Sequence, residues 1–237
     1  MIDNKEERKY SKLRKLGQEL HIPVPEHFIE CEVFDKNGKR IQHLKQRSHS
    51  WVRNAYNLLL SEMACINIDA GVGDFGPGFL SVKDYVGTVK RGDFGVCIRS
   101  GLGSFEGAGG GYNSAAANDD FGILVGSDNT AESFEDYIVI TKIVEGIGAG
   151  QLNYAATTVP TKSYNGGTLT WTITWFRYFN NNSPGNVNVN EVGLYTSGYA
   201  TAASIYLNSR DVLGATVTIP ATGQLKVTYT FQLVYPA

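Results

Sequence analysis

The chain is poor in the side chains that chemistry most often uses. Its 237 residues include three cysteines, four histidines and two methionines, and no histidine lies beyond His49. Cys31, Cys65 and Cys97 are far apart, odd in number and never paired as Cys-x-x-Cys, which argues against a zinc site and against a disulfide framework. Buried free thiols in a protein made in a reducing cytosol are the reading that remains. The Gly-x-Ser-x-Gly nucleophile elbow is missing, as are a GxxxxGK phosphate loop and a strand–GxGxxG–helix unit. No apolar run approaches the ~18 residues of a membrane span. The first residues, MIDNKEERKY, are charged and have no apolar stretch of the signal-peptide kind. The net charge is −2, so there is no bulk electrostatic case for nucleic acid. No cofactor and no metal are expected: Asp69, Asp74 and Asp128 sit in loops that could hold calcium but lack the EF-hand spacing.

What is present is unevenly placed. Residues 1–53 carry 12 of the 21 Lys and Arg against 8 of the 23 acids, together with all four histidines, so this segment is basic and the remainder acidic. Such asymmetry points to a separate N-terminal role. Residues 4–20 read as a short basic helix, with Tyr10, Leu13, Leu16 and Leu20 on one face. One narrow stripe does not hold a helix alone, so it packs on its own domain or docks on a partner. Ile22-Pro23-Val24-Pro25 ends it. FIECEVF, then Asn37-Gly38, then a second run read as a β-hairpin over 27–44. Ser48-His49-Ser50 reads as the N-cap of a helix through Trp51, Ala55, Leu58 and Leu59, apolar over more than half its circumference and so expected to be covered on most sides.

From 67 to 120 the chain is dense in glycine with aromatics between, which fits short strands and tight turns or an extended arm. From 121 the pattern is β to the end. NTAESFEDY suits a helical turn, YIVITKIV reads as a strand, and TWTITWFRYF alternates, with Trp171, Ile173 and Trp175 opposite Thr170, Thr172 and Thr174. The expected architecture is mainly β: an antiparallel β-sandwich, jelly-roll-like or Ig-like, with a small α+β N-terminal segment. Three parts follow: 1–66, a helix–hairpin–helix docking segment; 67–120, glycine-rich connecting strands or arm; 121–237, the sandwich.

GILVGSDNTAESFEDY, GQLNY, WFRYFNN, VNVNEVGLY, SRDVL and TVTIPATGQLKVTYTF follow one another over 121–235. This succession resembles a β-domain found in structural proteins of tailed-phage virions and prophages. SWVRNAYNLL resembles, more loosely, N-terminal parts of such proteins. The resemblance implies assembly rather than catalysis: a virion protein made in a bacterial host's cytoplasm, placed in the tail, baseplate, head–tail junction or head surface. Its partners would be other virion proteins and copies of itself, in a symmetric ring or trimer.

Within NVNVNEVGLY a single carboxylate, Glu191, interrupts a strand that otherwise suits burial. It could be a catalytic acid, a solvated surface group or half of an ion pair. Arg210, nineteen residues later in SRDVL, is the expected partner inside the sandwich, because a lone buried carboxylate costs several kcal/mol and Arg offers a bidentate fork. A glycosidase needs two carboxylates at a set separation. Glu132, Glu135, Asp136, Glu145, Glu191 and Asp211 are available, and nothing in the sequence selects two of them. His43, Ser48 and His49 read as hairpin and cap residues, so no enzyme is expected. The rival reading is a host-receptor or carbohydrate-binding module of a tail or head fibre. It would bind a host-surface glycan through Tyr178 and Phe179 beside NNNSPGN, and through Tyr195 and Tyr199 across YTSGY.

Overall fold

A computed structural model describes residues 4–64, 75, 80–90, 112–200 and 202–236. The chain is mainly β, 46% strand and 13% helix, with antiparallel sheets packed against each other as in a β-sandwich. In chain order the elements are α1 (Asn4–Leu20), β1 (Val24–Phe34), β2 (Arg40–Arg47), α2 (Arg53–Ala64), β3 (Val82–Lys83), β4 (Val89–Lys90), β5 (Gly122–Gly126), β6 (Asn153–Tyr154), β7 (Thr161–Asn165), β8 (Thr170–Asn180), β9 (Val187–Ala200), β10 (Ala202–Ile219) and β11 (Gln224–Val234). The larger sheet runs β2-β1-β11-β8-β6, with β7 also paired to β8, and the smaller runs β10-β9-β5. β3 and β4 form a separate two-stranded ribbon. The expected glycine-rich arm falls mostly outside the described residues.

The hairpin forms where the sequence places it. Asn37-Gly38 makes the turn, with Gly38 at φ +77° and the Asp35 carboxylate accepting from the N–H groups of Asn37 and Lys39. What the sequence does not show is where the hairpin goes. β1 pairs with β11 over its whole length, from Val24↔Val234 to Phe34↔Gln224. Residues 24–47 are therefore part of the larger sheet, and the expected docking segment 1–66 does not stand apart from the sandwich: of that segment, the helices α1 and α2 lie outside the sheets. The cause is pattern matching across the pair, since Ile29, Cys31 and Val33 on β1 continue the buried row of Leu225, Val227 and Tyr229 on β11.

Alternation builds the core. Trp175 and Phe179 of β8 join those two rows, and facing them are Ile123 and Val125 of β5, Val189, Val192 and Leu194 of β9, and Val217 and Ile219 of β10, while Leu124 and Leu207 are buried on the other face of the smaller sheet with Tyr195 and Val139. Cys31 is buried among them, and burial pushes its thiol up to about 12, so it packs as a small apolar group. At one end the cover formed by the described residues stops. The same inner-face row continues on β8 to Ile173 and Trp171, which are 41% and 39% exposed, and on β1 and β11 to half-buried His27 and Phe231. The larger sheet overruns its cover here.

Two expectations fail locally. YIVITKIV forms no strand; residues 138–144 are a loop with a single bridge at Lys142. The helix after Trp51 is covered on one side only, leaving Tyr56, Leu59 and Leu60 each nearly half exposed. Ser48 does not cap it; the hydroxyl is buried and donates to Asp211.

Gly193 lies in the middle of the smaller sheet, paired with Leu124 on one side and Arg210 on the other. A Cβ there would collide with Val139, sit 2.9 Å from the Tyr195 ring and 3.2 Å from Leu207. Gly193→Ala is expected to cost about 1–3 kcal/mol by overpacking, read as a lower midpoint in denaturant unfolding with an unchanged slope.

Candidate functional site

Four groups of side chains merit attention: two buried polar centres, a helix clamp and an aromatic groove. The first answers the question raised by NVNVNEVGLY. Glu191 and Arg210 both lie fully buried, on the paired strands β9 and β10, and Arg210 Nε donates to Glu191 Oε2 at 2.7 Å. Arg210 Nη1 donates to Asp136 at 3.0 Å, and Nη2 to the Thr130 carbonyl at 2.9 Å. Glu191 in turn accepts from the backbone N–H groups of Ile140, 3.3 Å, and Thr141, 3.0 Å. The pair thus holds down residues 130–141 from inside. These contacts also explain the missing strand: a β-branched run whose N–H groups go to a carboxylate, and to the Tyr195 hydroxyl at Val139, cannot also serve a ladder. NTAESFEDY forms a single hydrogen-bonded turn rather than a helix, closed by Ser133 N–H on Asp136 and Glu135 N–H on Ser133.

On the opposite side of β10, Asp211 is buried and accepts from the hydroxyls of Ser48 at 2.8 Å and Ser209 at 2.6 Å, and from His49 N–H at 3.2 Å. Burial pushes its carboxyl up to about 6, against the pull of those donors. One ligand atom each from His49, Glu132 and Asp211 come within 4.8 Å of one another, and these are the described residues able to hold a metal ion together. The other candidate acids are otherwise engaged: Glu135 pairs with Arg53, and Glu145 accepts from Asn153 and Tyr154.

The N-terminal helix is held by charge, not by its leucines. Arg47, buried at the end of β2, donates to Glu7 and Glu26, while Arg14 donates to the same two carboxylates at 2.6 and 2.7 Å. The guanidinium of Arg47 lies 3.7 Å from the centre of the Tyr10 ring. Arg14 first, then Arg47, holds the Glu7 carboxyl below the usual range. Tyr10, expected on the partner face, therefore faces the protein's own sheet. Leu13, Leu16 and Leu20 point out, 46%, 48% and 56% exposed, with exposed Ile22 just beyond and exposed Lys9 and Lys12 beside them.

The glycan residues expected around 178–199 do not make a site. Phe179 and Tyr195 are core side chains, Phe179 packed edge-on against Tyr154 and Tyr195 holding the Val139 N–H. Tyr178 is half-buried on the outer face, and the Tyr199 side chain lies outside the described residues. The aromatic surface lies instead where the larger sheet overruns its cover. A cavity of 340 Å³ is lined by His27, Trp51, Tyr56, Tyr112, Asn208 and Phe231. A second, of 460 Å³, shares Pro25, His27 and Phe231 with it and continues to Lys162, Trp171 and Tyr235. Tyr112 stacks on Trp175 at 5.4 Å, and Phe231 stacks on Trp175 at 5.0 Å.

Sequence reading missed Arg47, Arg177 and the groove. For Arg177 a signal existed: WFRYF puts it on the inner parity of β8, between Trp175 and Phe179. It is fully buried, donates to the carbonyls of Ala155, Phe121, Ile123, Ala115 and Asn118, and lies over the Tyr154 ring. All five of its N–H groups are used, although burial lowers its pKa to about 10. Arg47 and the groove carried no local signal, because their partners come from distant parts of the chain. No protein-family model, curated protein or solved structure matches this chain.

Two outcomes follow. Glu191→Leu leaves Arg210 short of a buried partner and is expected to cost about 3–5 kcal/mol. In a double-mutant cycle with Arg210→Met the two losses are expected to couple by at least about 1 kcal/mol; additive losses in denaturant melts would show that the ion pair is not what the strands depend on. For Asp211, the unfolded chain ionises near 3.8 and the folded one near 6, so between these values the unfolded state binds fewer protons. Its contribution to stability therefore falls as pH rises from about 4 to 6 and is level above, by about 1–3 kcal/mol. Melts of wild type and Asp211→Asn across this range are expected to diverge, with wild type losing ground as pH rises.

Proposed function

We propose that this chain is a non-enzymatic structural protein of a tailed-phage virion, assembling through protein–protein contacts as a tail, baseplate, head–tail or head-surface component. The observation that carries the assembly reading is the outward row of Leu13, Leu16 and Leu20 on a helix whose other side is fixed by four charged groups. A helix that existed only to complete its own domain would turn its leucines inward, since burying each contributes about 1.5–3 kcal/mol. Here the polar side is spent on docking the helix and the apolar side is left for a neighbour. With Lys9 and Lys12 on its flank, this face suits an apolar surface with an acidic rim. The virion setting comes from the likeness of residues 121–235 to phage β-domains. Repeated copies in a closed ring or trimer would multiply a modest contact.

The test uses substitution rather than deletion, because removing residues 1–26 would also remove both carboxylates of Arg47. The full chain is expected to run in light scattering as a closed oligomer, and a triple variant, Leu13→Gln, Leu16→Gln and Leu20→Gln, at the 25.9 kDa of one chain with unchanged circular dichroism. An oligomer that survives the triple substitution, or a wild-type chain that is monomeric, removes self-assembly through this face.

A further inference from the structure

We propose that the groove across the uncovered end of the larger sheet is a binding site for a neutral glycan, with one pyranose ring seated in the cavity between Trp51, Tyr112, Asn208 and Phe231 and the chain continuing past Trp171.

Four observations carry this. First, the groove has unspent polar capacity. Asn208 is 1% exposed, and its Oδ1 has no hydrogen-bond partner, while its Nδ2 donates to the Tyr112 hydroxyl at 2.8 Å. Turning the amide over would only exchange which end is orphaned, since a phenol hydroxyl gives or takes. Trp51, on the same cavity wall, has a buried Nε1–H that also bonds to nothing. Both atoms belong to side chains of one cavity wall and are closed off from solvent, so a ligand reaches them when those side chains turn; an orphan acceptor beside an orphan donor is what hydroxyl groups match, since each hydroxyl is both. An apolar side chain filling the space would leave the two unsatisfied, at about 1–3 kcal/mol each.

Second, the walls are aromatic. His27, Trp51 and Phe231 pack mutually at 4.3–4.9 Å, and Tyr112 stacks on Trp175 beside them. Flat aromatic walls receive the C–H face of a sugar ring while its hydroxyls point to the rim. Third, the first cavity carries no charge among its described lining residues. Burial pushes the one titratable nitrogen base there, His27, down to about 4, so it is neutral at pH 7. An anionic sugar would find no counter-charge in it. Fourth, the two cavities are neighbours that share Pro25, His27 and Phe231 as lining, and at 340 and 460 Å³ each falls within the size range of ligand pockets. A linear chain of rings fits this elongated shape, and Lys162 and Gln232 supply polar contacts at its far end.

The chain carries its own reporter. Two of its three tryptophans, Trp51 and Trp171, line this surface, and the third, Trp175, is buried against Tyr112 and Phe231, so its tryptophan emission comes from the groove and the layer beneath it. The experiment titrates the full-length protein with cellohexaose, maltohexaose and chitohexaose, with permethylated cellohexaose and a hexagalacturonate as controls, and with indole and phenol as mimics of a protein side chain. At least one neutral hexasaccharide is expected to shift the emission saturably. Its permethylated form, which has no hydroxyl to donate to Asn208, and the uronate are expected not to. Trp171→Ala removes a side chain that is 39% exposed, so the fold is kept and Trp51 and Trp175 still report; apparent affinity is expected to fall about tenfold. Emission unmoved by all three neutral hexasaccharides at millimolar concentration overturns the proposal. So does saturable binding of indole or phenol in their place, which would assign the groove to an aromatic side chain of a protein partner. An equal response to the permethylated sugar would overturn the role given to Asn208. None of these outcomes bears on self-assembly through the leucine face.

Discussion

The structure depends on buried charge standing in for missing ladder. β5 is five residues long, buried throughout, and flanked on both sides by chain that makes little regular pairing. The segment before it is gripped by Arg177, which binds the carbonyls of 115, 118, 121 and 123. The segment after it is gripped by Glu191, which takes N–H groups, and Arg210, which takes carbonyls. An arginine suits orphan carbonyls because it is a fan of donors, and a carboxylate suits orphan N–H groups for the converse reason. The desolvation of these ions is offset by backbone groups that would otherwise be unsatisfied themselves. The charges therefore specify how irregular chain lies on the sheets.

The same economy shapes the N-terminal end. Consecutive residues of β1 look both ways: Glu26 faces α1 through Arg14 and Arg47, while Pro25 and His27 line the groove. The helix face and the groove are thus back to back across one strand. A partner seated on the leucines and a ligand lying against Phe231 would each press on opposite sides of the same few residues.

Much of this was legible in the sequence, and the rest was hidden for a reason. TWTITWFRYF and FIECEVF declare their inner faces because each side chain's burial follows its parity. Glu191 stood out as a charge in an apolar strand, and SRDVL offered an arginine, so that contact could be anticipated. YIVITKIV misled because β propensity describes a fit to a pleated surface and says nothing of who takes the N–H groups. Phe179 and Tyr195 misled because a tyrosine or phenylalanine near a turn looks the same whether it faces sugar or core. The groove was invisible because Pro25, Trp51, Tyr112, Asn208 and Phe231 come from distant parts of the chain, Pro25 and Phe231 being joined by the pairing of the first and last strands.

That pairing has a consequence for how the protein is made. β1 leaves the ribosome long before its neighbour β11. Closing such a long loop is slow, and the larger sheet cannot reach its native order until β11 is made. Until then, Ile29, Cys31 and Val33 have the hairpin to β2 but no partner on their other edge and no complete core to enter. The nascent chain holds an apolar half-sheet open over that interval, and its vulnerable period is set by the translation time of residues 35–224 rather than by any local folding rate.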